Sequence, residues 1–275
     1  EYWRFLRVLA TVAFFCSTSG TPQVSADDSE KGTRQFAVAV GFQNQKLYEA
    51  AIEEWETFLQ TFPQDSRIDK ATHYLGTCQL QAKQFAAAAA SFETVLQEYP
   101  KFELLDQTLL NLGTVRYSEA RESKKPEDYA KAEALFSRLQ MEFPQSVYAG
   151  RALYFRGESQ YHQNQLEDAA ASYAALINTL PDDELVPDAT YALGICYETL
   201  KKSDEALQTF AAFELRFPQH ALLTEVKLRQ AELLFTTAKF EEAQTLFGQV
   251  STVKDFPLAD TAMLRQARCL YELKK

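Results

Sequence analysis

The sequence predicts an all-α protein built as a solenoid of antiparallel helix pairs. Three recurring columns carry this prediction: an apolar residue followed by proline, a glycine or alanine, and an alanine followed four residues later by a bulky aromatic. A fixed period of roughly 20–50 residues is the signature of a repeat array. Each unit of such an array buries its apolar face against its neighbours, so the chain offers a long surface and no single central cleft.

The proline column predicts where the second helix of each unit ends. Five prolines follow an apolar residue at spacings of 37, 44, 37 and 37 residues: Pro63, Pro100, Pro144, Pro181 and Pro218. Proline lacks the backbone N–H that a continuing helix needs. Polar residues such as Asp65 and Ser66 come next, and we expect them to cap the first helix of the following unit.

The second column holds small residues, 13 positions after each proline. Its members are Gly76, Gly113, Gly157 and Gly194, continued by Ala231 and preceded one unit earlier by Ala39. Glycine in a helix costs about 1 kcal/mol relative to alanine. Four glycines at one phase therefore indicate that a neighbouring helix approaches closely.

The third column pairs a small residue with an aromatic one on the second helix. The alanines are Ala51, Ala88, Ala132, Ala169, Ala206 and Ala243, and the aromatics are Trp55, Phe92, Phe136, Tyr173, Phe210 and Phe247. Residues four apart lie on one helix face. The columns together predict six helix pairs from about residue 35 to residue 250, and a seventh first helix near residues 260–275.

These columns resemble those of the tetratricopeptide repeat, over residues 35–275. The resemblance implies a right-handed superhelix whose first helices line a concave groove for protein or peptide partners. Most units here have 37 residues, whereas the common repeat has 34. The longer unit is similar to the repeats of bacterial envelope proteins, namely the outer-membrane assembly lipoproteins and the periplasmic coordinators of the Tol-Pal system. That similarity implies a scaffold in envelope assembly or maintenance.

Transfer of the family's groove-lining phases gives candidate peptide-binding residues. They are His73, Thr77, Leu110, Thr114, Arg151, Tyr154, Glu158, His162, Tyr191 and Glu232. Aromatic and arginine side chains are favoured as binding anchors, so Arg151, Tyr154 and Tyr191 are the strongest candidates. The alternative interpretation is an ordinary solvated concave face.

The sequence contains no pattern that predicts catalysis. It lacks a glycine-rich phosphate loop, a Gly-x-Ser-x-Gly elbow and a His-Glu-x-x-His pair. We therefore predict no enzyme, no cofactor and no metal. Cys78, Cys196 and Cys269 fall in separate units, and we expect buried thiols there. The net charge of −10 argues against a nucleic-acid partner.

Residues 1–26 have the pattern of a secretory signal peptide, with Arg4 and Arg7 before an apolar run and small residues up to Ala26. Cleavage after Ala26 would leave a polar linker, residues 27–34, and then the solenoid, residues 35–275. We expect a periplasmic or secreted protein. The alternative is a membrane-tethered assembly subunit, held by an uncleaved N-terminus or by lipidation of Cys16.

Two further features leave alternatives open. The chain begins without methionine and stops within a helical pattern, which predicts a longer natural protein. These repeats could then be the adaptor of an enzyme whose catalytic domain lies beyond residue 275. The third unit also carries seven extra residues around residues 122–126, which we interpret as a surface loop or, alternatively, as a second contact point.

Overall fold

The computed structural model describes residues 26–274, with side chains from residue 29 onward. This part of the chain holds thirteen α-helices and no β-strand. The helices are α1 Ala26–Asn44, α2 Tyr48–Thr61, α3 Ile68–Gln81, α4 Phe85–Glu98, α5 Leu105–Ser123, α6 Pro126–Glu142, α7 Ala149–His162, α8 Leu166–Thr179, α9 Val186–Thr199, α10 Ser203–Arg216, α11 Leu223–Thr236, α12 Phe240–Ser251 and α13 Ala259–Glu272.

The helices form the predicted array of six pairs followed by one further first helix. We call the odd-numbered helices the A helices and the even-numbered helices the B helices. Packing is almost entirely between helices that follow each other in the chain, with weaker contact between α3 and α5 and between α5 and α7. The all-α solenoid predicted from the repeat columns is therefore confirmed.

The glycine and aromatic columns meet inside each unit. A Cβ placed on Gly76 would lie 2.9 Å from the ring of Phe92, and one on Gly113 would lie 2.5 Å from the ring of Phe136. Each A helix thus leaves room for the aromatic side chain of its own B helix. These side chains are fully buried from Trp55 to Phe247, which makes the column the centre of the core.

Five of the six B helices end where the proline column predicts. The α2 helix ends at Thr61, and the N–H of Asp65 then donates to the carbonyl oxygen of Phe62 at 3.0 Å, which closes a turn around Pro63. Asp65 Oδ1 accepts from the backbone N–H of Arg67 at 2.9 Å. The expected cap is therefore placed differently: Asp65 closes the turn before α3, and the α3 N-terminus itself has no side-chain cap.

Residues 27–34 are helical and belong to α1, so the prediction of a polar linker is wrong there. Thr33 Oγ1 donates to the Ser29 carbonyl at 2.9 Å. Gly32 is buried, and a Cβ at this position would lie 3.5 Å from the ring of Phe62. The missing side chain lets this part of α1 pack against the turn after α2. The signal-peptide residues before Ala26, including Cys16, lie outside the described residues.

The seven extra residues of the third unit do not form a loop, which corrects the prediction of a surface loop. They lengthen both helices of that unit: α5 has 19 residues and α6 has 17, whereas the A helices from α3 onward otherwise have 14. Only Lys124 and Lys125 separate the two helices. Ala120, within the added part of α5, is fully buried, so the extension adds to the core.

Cys78, Cys196 and Cys269 are free and buried, as predicted. On α13, the side chains of Leu264 and Tyr271 are 72% and 71% exposed. Among the described helices, none is both long and apolar enough to cross a membrane.

Candidate functional site

A cavity of about 410 Å³ lies between three consecutive A helices, α7, α9 and α11. The α7 helix contributes Tyr154, Glu158, Tyr161 and His162. The α9 helix contributes Asp188, Tyr191, Ala192 and Ile195. Tyr173 of α8, Arg229 of α11 and Leu222, the residue before α11, complete the lining. The regular spacing of the repeats places these side chains at matching heights on neighbouring helices.

Glu158 is held in place by two tyrosine hydroxyl groups. The hydroxyl of Tyr173 donates to Glu158 Oε1 at 2.6 Å, and that of Tyr117 donates to Glu158 Oε2 at 3.2 Å. Tyr117 comes from the preceding unit, so the carboxylate joins two units. Burial and the neighbouring carboxylate of Glu158 both raise the pKa of Tyr173 and of Tyr117, which keeps both phenols protonated as donors.

Tyr154 and Tyr191 are half-buried and occupy equivalent positions on α7 and α9. Burial raises the pKa of Tyr154, and the carboxylates of Glu158 and Asp188 raise it further. Burial also raises the pKa of Tyr191, although nearby Arg229 acts in the opposite direction. Both rings are therefore neutral, and their faces carry the negative side of the aromatic quadrupole.

Arg229 is the only arginine or lysine side chain that lines this cavity. Its Nε lies 3.1 Å from Glu225 Oε1, and its Nη1 lies 3.6 Å from Glu198 Oε1. Burial acts to lower the pKa of Arg229, but Tyr191 and these two carboxylates outweigh it and raise the pKa. The guanidinium is thus already matched by acidic partners on α9 and α11.

The structure brings four of the predicted groove residues together. Tyr154, Glu158, His162 and Tyr191 all line the cavity. Arg151 is exposed on α7, one turn before Tyr154. As a peptide-binding site, this group stays a prediction.

The other predicted residues lie apart from the cavity. Thr77 and Thr114 are half-buried, and their hydroxyls donate to carbonyl oxygens of their own helices at 3.0 and 2.9 Å. Glu232 pairs with Arg265 at 3.2 Å. His73 and Leu110 are only 1% and 4% exposed, so their expected place in an open groove is wrong.

Sequence reasoning did not select Tyr161, Tyr173 and Arg229. Tyr173 carried a detectable signal, because it is the only tyrosine in an aromatic column otherwise made of tryptophan and phenylalanine. A buried hydroxyl needs a hydrogen-bond partner, and the partner of the Tyr173 hydroxyl is Glu158. Arg229 and Tyr161 lie outside the transferred phases, and no repeat column distinguishes them.

The described residues contain no group of three or more histidine, cysteine, aspartate or glutamate side chains that could hold a metal ion. Burial raises the pKa of the Cys78 thiol to about 11 and that of Cys196 to about 12. Both thiols are therefore protonated at neutral pH, which makes them weak nucleophiles.

Two families of repeat sequences match the chain. A tetratricopeptide repeat-like domain matches residues 106–214, and a tetratricopeptide repeat matches residues 71–101. Together these matches cover about half of the chain and reach from α3 to α10. No curated protein sequence matches the chain.

Several solved structures share the fold. A tetratricopeptide repeat protein from Parabacteroides merdae has a TM-score of 0.63 at 18% identity, over 89% of this chain and 93% of its own. YrrB, described as a TPR protein with an unusual peptide-binding site, has a TM-score of 0.57 at 19% identity, over 73% and 94%. MamA from Desulfovibrio magneticus RS-1 has a TM-score of 0.57 at 16% identity, over 70% and 98%. At these identities the likeness shows the fold alone.

Proposed function

Since the chain is a tetratricopeptide repeat protein, we propose that it is a non-catalytic scaffold that binds protein or peptide partners along the groove lined by its A helices. Proteins of this family bind peptides or proteins, and YrrB is a relative in fold described by such a site. Stacked repeats offer the extended surface that a scaffold needs.

One observation carries this proposal: the cavity between α7, α9 and α11 opens on the A helices and combines aromatic with charged side chains. Its volume of about 410 Å³ falls within the range of roughly 300–1,000 Å³ that is usual for ligand pockets. Tyrosine and arginine are the residue types that dominate binding energies at interfaces.

We also propose that the protein acts in a bacterial envelope, as the 37-residue unit and the signal-peptide pattern of residues 1–26 suggest. Export with cleavage after Ala26 would produce a mature chain that begins at Asp27. Mass spectrometry of the protein isolated from its native cells tests this step. A periplasmic chain that begins at Asp27 is expected, whereas a chain that keeps residues 1–26 in the cytoplasm would contradict export.

In-cell crosslinking tests the scaffold function itself. A photoreactive amino acid replaces Arg151, which is exposed beside the cavity, and in a matched variant it replaces Leu215, which is 86% exposed on the B helix α10. We expect a defined partner to be captured from position 151 and not from position 215. Both positions are exposed, but position 151 lies on an A helix and position 215 lies on a B helix.

The identity of the captured proteins, and the position that captures them, distinguish three outcomes. Envelope proteins crosslinked only from position 151 would support both the groove and the pathway. Equal capture from both positions would contradict a binding groove on the A helices. Capture of cytoplasmic proteins alone would leave the scaffold function in place and overturn the proposed envelope role.

A further inference from the structure

We propose that the cavity between α7, α9 and α11 accepts a basic side chain, arginine or lysine, of the bound peptide. This inference rests on the proposed function, because it names the chemistry of the partner that the groove binds. The arrangement of tyrosine rings and carboxylates on α7 and α9 carries it.

Acidic groups outnumber basic ones in and around the cavity. Glu158 and Asp188 line it directly, and neither forms an ion pair among the described contacts. Tyr173 and Tyr117 donate hydrogen bonds to Glu158, but both donors are neutral, so neither supplies a positive charge to the carboxylate. A partly buried carboxylate of this kind attracts a cation more strongly than an exposed one does, because the surrounding dielectric is lower.

Arg229 does not neutralise these two carboxylates. Its guanidinium is shared between Glu225 at 3.1 Å and Glu198 at 3.6 Å, both outside the cavity lining. The arginine thus has two acidic partners of its own, and the charge of Glu158 and Asp188 is left for a ligand. The net charge of −10 on the chain acts in the same direction, since it favours the approach of basic peptides.

The tyrosine rings supply the second half of a cation site. Tyr154 and Tyr161 of α7 and Tyr191 of α9 line the cavity, and the ring of Tyr154 lies 5.9 Å from that of Tyr173. A cation over the face of an aromatic ring is attracted by its quadrupole, and arginine does this most often. The aliphatic part of an arginine or lysine side chain packs on the same rings.

The other units lack this combination. In the first unit the phase of Tyr154 and Tyr191 holds the half-buried Phe36, but the phase of Glu158 holds Val40 there and no carboxylate. In the second, third and sixth units the tyrosine phase holds His73, Leu110 and Leu228, and these three side chains are buried. The phase of Glu158 holds Thr77, Thr114, Ile195 and Glu232, and this last carboxylate pairs with Arg265 at 3.2 Å. Aromatic rings and unpaired carboxylates therefore meet in the fourth and fifth units.

Selection of a random peptide library on the protein provides the test. We expect the selected peptides to share an arginine or lysine at one position. Its replacement by a neutral residue of similar shape, citrulline for arginine or norleucine for lysine, should weaken binding about tenfold or more. Fluorescence anisotropy of labelled peptides measures this ratio.

Two matched protein variants complete the test. Glu158→Gln removes the charge and keeps one oxygen that can accept from the hydroxyl of Tyr173 or Tyr117, and we expect it to weaken the same peptides about tenfold. Glu167→Gln makes the same change at an exposed position of the B helix α8, outside the cavity and the groove, and should leave binding unchanged. Tyr154→Leu copies the residue that Leu110 and Leu228 provide and should weaken binding as well.

The outcomes separate this inference from the function on which it rests. Peptides that bind the wild type, lose affinity with Tyr154→Leu and carry no required basic residue would overturn the cation site and leave the groove standing. Equal effects of Glu158→Gln and Glu167→Gln would also overturn the cation site. A library that yields no binding peptide, or only peptides insensitive to Tyr154→Leu, would contradict both proposals.

Discussion

His73 is a buried histidine between the second and third units. Its Nδ1 lies 2.8 Å from Thr108 Oγ1, and Thr108 in turn donates to the Leu104 carbonyl at 2.8 Å. Thr108 therefore accepts a hydrogen bond from Nδ1–H, and Nε2 has no partner. The rings of Tyr74, Phe92 and Phe102 surround the imidazole. A proton added at Nε2 would place a charge in an apolar site.

The first prediction follows from this burial, which lowers the pKa of His73 from 6.5 to about 4, although Gln107 and Asp106 act in the opposite direction. Below pH 6.5 the unfolded chain binds a proton that the folded chain does not bind until the pH reaches about 4. The free energy of unfolding should therefore fall as the pH drops through this range, by as much as about 3 kcal/mol. The His73→Leu variant, which takes the residue that Leu110 provides at the same phase, should lose this part of the pH dependence.

Urea denaturation at several pH values measures the difference between the two proteins. The carboxylates titrate in both, so the comparison of wild type with His73→Leu isolates the histidine. A His162→Gln variant serves as the control, because His162 is exposed. Parallel pH curves for wild type and His73→Leu would contradict the prediction.

At the scale of the element, the turns between A and B helices share a residue in the left-handed conformation. A residue with positive φ follows the A helix in each of the six pairs: Lys46, Lys83, Lys124, Asn164, Lys201 and Ala238. In the second unit the N–H of Gln84 donates to the Gln79 carbonyl at 2.8 Å, and that of Lys83 donates to the Leu80 carbonyl at 3.0 Å. This is the Schellman pattern, in which the left-handed residue is most often glycine.

Ala238 is the least suited of these residues to its conformation. Its φ is 58°, its side chain is exposed, and alanine offers no polar group to favour the left-handed region. We predict that Ala238→Gly raises the free energy of unfolding by about 0.5–1 kcal/mol, because glycine adopts positive φ without a Cβ clash. The midpoint of urea denaturation measures the change.

The same substitution elsewhere provides the control. Ala130 is exposed within α6, where the backbone is helical, and Ala130→Gly should destabilise the protein by about 1 kcal/mol. If the free energy of unfolding rises in Ala238→Gly and falls in Ala130→Gly, the backbone conformation at each position decides the effect of glycine. A loss of stability in Ala238→Gly would show that the left-handed residue at this turn carries no strain.

The sequence predicts the elements well where one physical cause acts on one residue. Proline ends α2 at Thr61 because the backbone loses a donor, and glycine at position 113 makes room for Phe136. It fails for the extra residues of the third unit. Charged residues around Lys124 suit both a loop and a solvated helix end, and only the burial of Ala120 against the next unit favours helix.

At the scale of the whole molecule, the candidate site shows the limit of a single repeat pattern. The transferred phases locate Tyr154, Glu158 and Tyr191, because the period sets which residues share a face. They do not separate these half-buried tyrosines from His73 or Leu110, which are buried at the same phase. Contacts between units, such as Tyr117 with Glu158, depend on pairs that no period reveals.

The last prediction concerns how far a local change spreads. Phe136 is fully buried in the third unit and lies 5.8 Å from the ring of Phe155 in the fourth, while Trp55 is fully buried in the first unit. Phe136→Ala and Trp55→Ala should each cost about 3–5 kcal/mol, because each removes a large side chain from the core. In a linear array this cost falls on the altered unit and its neighbours.

Hydrogen exchange of the backbone amides measures the spread. We expect Phe136→Ala to accelerate exchange in α5, α6 and α7, and Trp55→Ala to accelerate it in α1, α2 and α3, with α11 and α12 unchanged in both. The two variants thus control for each other, since they share the type of change and differ in position. Because almost all packing joins consecutive helices, only short-range coupling is available. Uniform acceleration along the chain in both variants would show that the repeats unfold as one cooperative body.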